Sequence, residues 1–316
     1  MLAEHPAALC LFEFFNGLDA SRRFAPDPMT GSAFAELIGA EQPFVTAVLR
    51  RGYEVAEITY PFGEGGRFAR DEPLPWILVS TLPRLSDDPD RLYDEVVAFA
   101  RAQPDQPAPS HHRALFEWLC SRFDRELWIE RSGSSIDYLA GLEAAFPDSR
   151  FLHIHRDGRE AALSMREHHA YRLPISLLYG APADDGVPIA EMGPLDLHEA
   201  PSGDDPISRV LASRPAADYF GRYWNDQIQR GDEARRELPA GRYAEVRFED
   251  LVASPREELA RIADFFELDP DRDAWRDRAA ALVKDAASTR FETLGAAEQQ
   301  VLEQACRPGL ERLGRL

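Results

Sequence analysis

Two short segments of the sequence combine arginine with glycine and small polar residues, a composition suited to binding anions. The first is Arg-Ser-Gly-Ser-Ser at 131–135, and the second is Arg-Asp-Gly-Arg-Glu at 156–160. Glycine lets a backbone approach a phosphate closely, hydroxyl groups donate hydrogen bonds, and a guanidinium can bind two oxygens at once. Ser164 follows Arg156 by eight residues, so both side chains can contact one phosphate if a helix begins between them.

The residues around these segments predict strands before them and helices after them. Short apolar runs at 126–130 and 150–155 predict strands, and helical patterns follow at 136–146 and up to about His168. Strand, helix and strand joined by short connections predict a parallel sheet. Ligands bind at the carboxyl ends of parallel strands, and helix N-termini attract anions. The spacing therefore predicts a phosphate site at these two turns.

A purely structural interpretation of the same residues stays open. Arg156 and Asp157 can cap a helix or form ion pairs, and 131–135 can be an ordinary tight turn. Spacing alone does not decide between these alternatives and an anion site.

The remaining residues predict more strands and a long irregular segment. Residues 7–15 form a short apolar run typical of a buried strand, and 242–248 predict another. Residues 16 to about 125 predict mostly helices, which form an insertion beside the predicted site. Residues 173–217 are rich in Pro, Gly and Asp and predict a long loop or lid.

Further helices are predicted from apolar periodicity and capping signals. Ser254, Pro255 and Glu257 have the order of an N-cap, a first helical position and the third residue of a capping box. The predicted helices are 89–102, 111–123, 218–236, the helix after Ser254 with a core face at Leu259, Ile262, Ala263 and Phe266, and a C-terminal helix from about residue 296.

Composition excludes several classes of protein. The 316 residues include 36 Lys and Arg against 55 Asp and Glu, for a net charge of −19, which argues against nucleic acid as a partner. Cys10, Cys120 and Cys306 are too far apart for a disulfide framework or a zinc knuckle. The single lysine, Lys284, has no glycine-rich segment before it, so a Walker A loop is excluded.

No apolar run approaches the ~20 residues that span a bilayer, and the first residues lack the pattern of a signal peptide. We therefore expect a cytoplasmic protein without a membrane span. The length allows one large domain, and we predict a single α/β domain over 1–316, with a parallel sheet flanked by helices.

The segment around residues 156–160 carries a family resemblance. The sequence HIHRDGREAALSM at 153–165 resembles the 3′-phosphate-binding motif of sulfotransferases that use 3′-phosphoadenosine 5′-phosphosulfate (PAPS). That motif has an arginine at a strand end and a serine eight positions later, matched here by Arg156 and Ser164. RYAEVRFEDLVASPREELARIADFFEL at 242–268 resembles a later strand and helix of the family. WIERSGSS at 128–135 resembles the mid-chain active-site loop of its bacterial, type-3-like branch, and HPAALCLFEFF at 5–15 resembles the segment just after the first helix of the family.

The resemblance implies a P-loop-like sulfotransferase fold and roles for particular residues. Glu13 corresponds to the glutamate that acts as catalytic base in some branches. Its structural alternative is a strand-end carboxylate paired with an arginine. Arg131 corresponds to the usual lysine that contacts the phosphosulfate and offsets charge in the reaction. The implied cofactor-binding residues are Arg131, Ser132, Gly133 and Ser134 at the 5′ end, Arg156 and Ser164 at the 3′-phosphate, and Phe248 stacked on adenine.

One departure from the family pattern concerns the start of the chain. Family members usually open with a strand and a 5′-phosphosulfate loop of the type RSGST, which this sequence does not contain before residue 5. We expect a longer natural protein that carries the loop. The alternatives are that 131–135 serves in its place, or that the chain is an inactive remnant.

The sequence thus predicts transfer of a sulfuryl group from PAPS to a hydroxyl or amine of a small-molecule, sugar or lipid acceptor. No metal is expected, and neither the acceptor nor the oligomeric state is predicted. The main alternative is a non-catalytic nucleotide-binding protein or scaffold of the same fold. A weaker one is another phosphate-handling enzyme, such as a kinase variant without lysine.

Overall fold

The computed structural model describes residues 1–63, 65–268, 274–283 and 289–316. Lys284 lies outside the described residues. The strands are β1 (Ala8–Phe12), β2 (Leu127–Arg131), β3 (Phe151–His155) and β4 (Tyr243–Arg247). The α-helices are α1 (Gly31–Gly39), α2 (Pro43–Arg50), α3 (Trp76–Val79), α4 (Pro89–Arg101), α5 (Ala108–Arg122), α6 (Leu139–Ala145), α7 (Gly158–Glu167), α8 (His169–Tyr179), α9 (Pro206–Ala212), α10 (Ala217–Arg235), α11 (Phe248–Ala253), α12 (Pro255–Phe265), α13 (Ala274–Ala280) and α14 (Ala296–Arg312).

The strands confirm the predicted α/β class but pair differently from the simplest prediction. In the described residues they form two parallel pairs, β1 with β2 and β3 with β4. The strands on either side of α6, β2 and β3, therefore each pair with a strand from elsewhere in the chain. Neighbours in sequence pair only about two-thirds of the time, because hydrogen-bonding partners are chosen by packing of the whole unit.

The chain divides into two compact units. The first contains Met1–Gly39, Arg91–Arg156 and Gly231–Ser288, and the second contains Ala40–Asp90, Asp157–Arg230 and Thr289–Leu316. All four strands belong to the first unit, in which β2 and β3 contribute Leu127 and Leu152 to one apolar cluster. The buried members of that cluster are Val246, Leu251, Leu259, Ile262, Ala263, Leu268, Trp275 and Ala279. The single domain over 1–316 stays a prediction.

Part of the segment predicted to be a long loop is helical, which corrects that prediction. Within 173–217, α8 continues to Tyr179 and α9 spans Pro206–Ala212. Pro174 lies inside α8 and lacks the N–H for a helical hydrogen bond, which normally disfavours a helix by about 3 kcal/mol. Its neighbours Leu173 and Ile175 are fully buried, so packing outweighs that cost. A lid function for the segment stays a prediction.

The helix after Ser254 is confirmed, but its predicted capping box does not form. Ser254 is the N-cap of α12 without a side-chain cap hydrogen bond. The reason is α11, which ends immediately before it. The Ser254 N–H already donates to the Asp250 carbonyl at 2.8 Å, and in a capping box that N–H would bind the Glu257 side chain.

Candidate functional site

The carboxyl ends of β1 and β2 lie side by side in the first unit. These strands run parallel in a register that pairs Phe12 with Arg131. The pairing continues one step further, since the Glu13 N–H donates to the Arg131 carbonyl at 2.8 Å. Two turns therefore begin next to each other, which we call the first turn (residues 13–16) and the second turn (residues 132–135).

The first turn is held in an unusual backbone conformation by its neighbours. Glu13 has φ of 55°, in the left-handed region that costs a non-glycine residue roughly 1 kcal/mol or more. Phe14 and Phe15 follow it and are each 1% exposed. The Phe14 ring lies 4.8 Å from Phe116, and the Phe15 ring lies 5.0 Å from His112. This aromatic packing fixes the direction in which Glu13 leaves the strand.

The Glu13 carboxylate links the two turns. Its Oε1 accepts hydrogen bonds from Arg131 Nη1 at 3.1 Å and from the Gly133 N–H at 2.9 Å. Its Oε2 accepts from Asn16 Nδ2 at 3.2 Å. The Glu13 side chain is 10% exposed, whereas that of Arg131 is 59% exposed. The structure thus brings the predicted base and the predicted cation into contact, in the arginine pairing that was the structural alternative for Glu13.

A second carboxylate in this region, Glu130, has no role in the sequence prediction. Its Oε1 accepts from the Phe14 N–H at 3.0 Å, from the Phe15 N–H at 3.4 Å and from the Ser132 hydroxyl. Burial raises the pKa of Glu130 to about 7 against the lowering effect of these hydrogen bonds, and the charge of Glu13 adds to the rise. Part of the residue still reaches solvent. In the sequence, the signal that could have identified Glu130 was its position as an acidic residue at the end of an apolar strand.

The hydroxyl groups of the second turn are engaged within the protein. Ser132 donates to Glu130, Ser134 donates to the Asn16 side chain, and Ser135 donates to the Ser132 carbonyl. Residues Ser135–Tyr138 continue as a short 3-10 helix. These contacts fit the tight-turn interpretation, and binding of a cofactor by Ser132, Gly133 and Ser134 stays a prediction.

An arginine and a tyrosine lie beside the first and second turns. The Arg23 guanidinium carbon is 3.9 Å from the centre of the Tyr138 ring, close enough for a cation–π interaction. Burial strongly raises the pKa of the Tyr138 phenol, and the charges of Glu130 and Glu13 raise it further. Arg23 also donates to the Phe15 carbonyl at 3.3 Å. Arg23 therefore supplies a second positive charge that sequence reasoning missed.

The ends of β3 and β4 bring together two other predicted residues. These strands pair His155 with Arg247, so the next residues, Arg156 and Phe248, leave neighbouring strand ends. The Arg156 guanidinium carbon lies 5.5 Å from the centre of the Phe248 ring, and both residues are partly exposed. A cation and an aromatic ring thus lie together at the ends of β3 and β4.

In the second unit, the N-terminus of α7 is occupied by its own cap. Asp157 accepts from the Arg159 N–H at 2.9 Å and forms an ion pair with the Arg159 guanidinium at 2.6 Å. Gly158 packs against Trp224, since a Cβ atom there would lie 2.4 Å from the indole. Both features fit the structural interpretation of this segment. Ser164 is partly exposed on α7, and its predicted role beside Arg156, which belongs to the first unit, stays a prediction.

Histidines of the described region have structural partners. His153 contacts the Tyr243 hydroxyl through Nδ1 at 2.9 Å, and burial lowers its pKa to about 3. His111 and His112 are fully buried, and their Nε2 atoms contact the Met29 and Arg23 carbonyls at 2.9 and 2.8 Å.

Within 1–63, 65–268, 274–283 and 289–316, no cluster of three His, Cys, Asp or Glu side chains could hold a metal ion. Over the same residues, no helix combines the length and apolarity needed to cross a membrane.

The comparison with known families gives a match to part of the chain. A model described as the sulfotransferase family matches residues 208–273. This range includes 242–268, one of the stretches that carries the resemblance, and Phe248 within it. The match supports the sulfotransferase family for this chain. Glu13, Arg131 and Arg156 lie outside the matched range.

Solved structures similar to this chain also include sulfotransferases. The sulfotransferase domain from the curacin biosynthetic pathway is 13% identical, with 92% of this chain and 96% of that chain covered and a TM-score of 0.40. Sulfotransferase STF9 from Mycobacterium avium is 17% identical, with 98% and 71% covered and a TM-score of 0.44. The sulfotransferase domain of the Synechococcus PCC 7002 olefin synthase is 16% identical, with 95% and 88% covered and a TM-score of 0.36. No curated protein matches this chain significantly.

Proposed function

We propose that this protein transfers a sulfuryl group from PAPS to a hydroxyl or amine of a small-molecule, sugar or lipid acceptor. The observation that carries the proposal is the contact between Glu13 and Arg131 at the carboxyl ends of β1 and β2, at 3.1 Å. Sulfuryl transfer needs a base for the acceptor proton and a positive charge near the leaving group, and these two side chains supply both.

Each residue has a defined task in this reaction. The acceptor oxygen or nitrogen forms a bond to sulfur while the bond from sulfur to the 5′-phosphate oxygen breaks, and that oxygen keeps the electron pair. Glu13 takes the acceptor proton. Arg131, with most of its side chain exposed, offsets the charge that develops on the departing phosphate, and Arg23 adds positive potential nearby.

Recognition of the nucleotide is assigned to the other strand ends. Arg156 contacts the 3′-phosphate, and the Phe248 ring stacks on adenine, which the 5.5 Å separation of the guanidinium carbon and the ring supports. Ser164 is the proposed second contact to the phosphate. The Asp157 cap on α7 means that the helix N-terminus itself is not the main phosphate ligand.

Binding at the second turn has to replace existing hydrogen bonds. The Gly133 N–H and the Ser132 and Ser134 hydroxyls already donate to protein acceptors. An anion therefore gains these donors only if Glu13 or the other acceptors give them up. Such an exchange would also free Glu13 to receive a proton from the acceptor.

Thermal unfolding with nucleotides tests the proposed cofactor site. We expect 3′,5′-ADP at about 100 times its Kd to stabilise the protein by about 2.7 kcal/mol, an effect that 5′-AMP does not reproduce. Arg156→Ala should abolish the shift, whereas the matched control Arg101→Ala, at an exposed position of α4, should keep it. Equal shifts with both nucleotides, or a shift that survives Arg156→Ala, would contradict the assignment.

A transfer assay then separates the enzyme from a binding protein of the same fold. PAPS is offered with phenol, amine and sugar acceptors, and release of 3′,5′-ADP is followed. Binding of 3′,5′-ADP without turnover on any acceptor class would favour the non-catalytic alternative.

A further inference from the structure

We propose that Glu130 is a positioning residue of this site, whose carboxylate holds the first turn and the Ser132 hydroxyl in the arrangement that presents Glu13. The catalytic part of this inference rests on the proposed sulfuryl transfer, whereas its structural part does not. Glu130 collects three donors with one oxygen, namely the N–H groups of Phe14 and Phe15 and the Ser132 hydroxyl.

The two carboxylates bind each other's turns. Glu13, in the first turn, accepts from the Gly133 N–H of the second turn. Glu130, at the end of β2, accepts from the Phe14 and Phe15 N–H groups of the first turn. The result is a reciprocal pair of connections between residues more than 110 positions apart. Strand pairing itself ends at Glu13, so these side chains continue the alignment beyond the sheet.

Loss of Glu130 should loosen the turn more than the core. The Phe14 and Phe15 rings remain anchored by Phe116 and His112, which Glu130 does not touch through any of its described hydrogen bonds. The backbone of the first turn, however, would keep its left-handed residue Glu13 with two N–H groups deprived of their acceptor. A shift of about 1 Å at a catalytic group can cost about 100-fold in rate.

Protonation of the Glu130 carboxylate can be used to probe its hydrogen bonds to the two turns. A carboxylate accepts hydrogen bonds with both oxygens, whereas a carboxylic acid has one O–H donor and less acceptor capacity. Glu13 and Tyr138 interact with the charge of Glu130, Arg131 is bound to Glu13, and Arg23 lies over the Tyr138 ring. Burial, together with the charge of Glu13, brings its pKa to about 7, within the range that a titration can cover.

The structural part is tested by NMR on the full chain. The amide ¹H and ¹⁵N shifts of Phe14 and Phe15 are followed from pH 5 to 9. We expect both amides to titrate together with a midpoint near 7, and to lose that titration in Glu130→Gln. In Glu13→Gln the midpoint should move down, since a neighbouring negative charge has been removed. Amides that do not titrate, or that titrate unchanged in Glu130→Gln, would overturn the inference.

The catalytic part is tested by turnover and by rescue. Glu130→Ala should raise hydrogen exchange of the two amides at least about 10-fold and lower kcat about 10- to 100-fold. Glu130→Gln keeps an acceptor oxygen and should therefore restore slow hydrogen exchange of the two amides and a parent-like kcat. The pH profile of kcat should be flatter around neutrality than in the parent. Equal loss in Ala and Gln variants would overturn the positioning role. If the parent shows the amide titration but transfers no sulfuryl group to any acceptor, the proposed function fails and the structural part stands. If Glu130→Ala does not fold, the Gln titration still decides.

Discussion

The two turns that look alike in sequence, 131–135 and 156–160, obtain their hydrogen-bond partners from different sources. In the turn after β2, the Gly133 N–H donates to Glu13, which lies 120 residues away in the sequence. In the turn after β3, the Arg159 N–H donates to Asp157, two residues away. The turn at 131–135 is therefore ordered by tertiary structure, and its donors depend on charged groups that can also do chemistry. The turn at 156–160 carries its own cap and is ordered locally.

The largest effect is expected from Glu13→Gln, which tests whether the long-range contacts of the turn at 131–135 serve catalysis. Gln keeps one acceptor oxygen for Arg131 and Gly133, loses the acceptor that faces Asn16, and cannot take a proton. We expect turnover of PAPS to fall about 10²- to 10⁴-fold, the usual contribution of a general base, with little change in the Kd for 3′,5′-ADP. The matched control is Glu117→Gln, at an exposed position of α5. A parent-like rate in Glu13→Gln would assign Glu13 to the ion pair alone.

Glu130→Gln tests the same region through stability. The pKa of Glu130 rises from an ordinary value of 4.5 in the unfolded chain to about 7 in the folded protein, so the folded state binds the proton more tightly. The stabilisation from this proton is complete below about pH 4.5 and is lost as the pH rises to about 7. We expect the free energy of unfolding of Glu130→Gln to exceed that of the parent by up to about 3 kcal/mol at pH 8 and by little at pH 4.5. Urea unfolding at both pH values checks this. A pH-independent difference would show that Glu130 does not titrate as described.

Gly158→Ala tests the claim that the glycine of the second sequence segment serves packing. Its Cβ would lie 2.4 Å from Trp224, a side chain that is only 6% exposed. We expect a loss of about 1–3 kcal/mol in the free energy of unfolding, as for other overpacked cores. The control is Gly65→Ala, where nothing lies within 4 Å of the added Cβ. Equal effects of the two substitutions would remove the packing explanation.

The smallest effect is expected from Asp157→Ala, which removes the local cap. Loss of an N-cap carboxylate typically costs about 1 kcal/mol, and here the ion pair to Arg159 is lost as well. Asp157→Asn should lose less, because Asn is an equally good N-cap. Unfolding by urea measures both. If Asp157→Asn loses as much as Asp157→Ala, the ion pair rather than the cap accounts for the contribution.

Local patterns predicted much of the fold correctly. The apolar runs gave strands at 8–12, 127–131, 151–155 and 243–247 within a few residues of their predicted bounds. The helix after Ser254 buries Leu259, Ile262 and Ala263, as its periodicity predicts. The loop predicted from residue 173 onwards was wrong at Pro174, because packing keeps this proline inside α8. The predicted capping box was wrong because the Ser254 N–H, which the box requires, donates to the Asp250 carbonyl of α11.

The candidate site was predicted in part. Sequence and resemblance selected Glu13, Arg131, Arg156 and Phe248, and the structure forms two contacts among them, Glu13 with Arg131 and Arg156 with Phe248. Glu130 and Arg23 were missed. Neither belongs to a recognisable spacing pattern, because their partners Phe14, Phe15 and Tyr138 come from other parts of the chain.

By itself the sequence determined what depends on residues a few positions apart: strand and helix positions, the arginine and serine spacing, and the Asp157 cap. Only the tertiary structure decided which strands pair and which charges meet. Strand register brings the ends of β1 and β2 together, and burial then raises the pKa of Glu130. Such partners are selected by the free energy of packing the whole unit, which no local pattern contains.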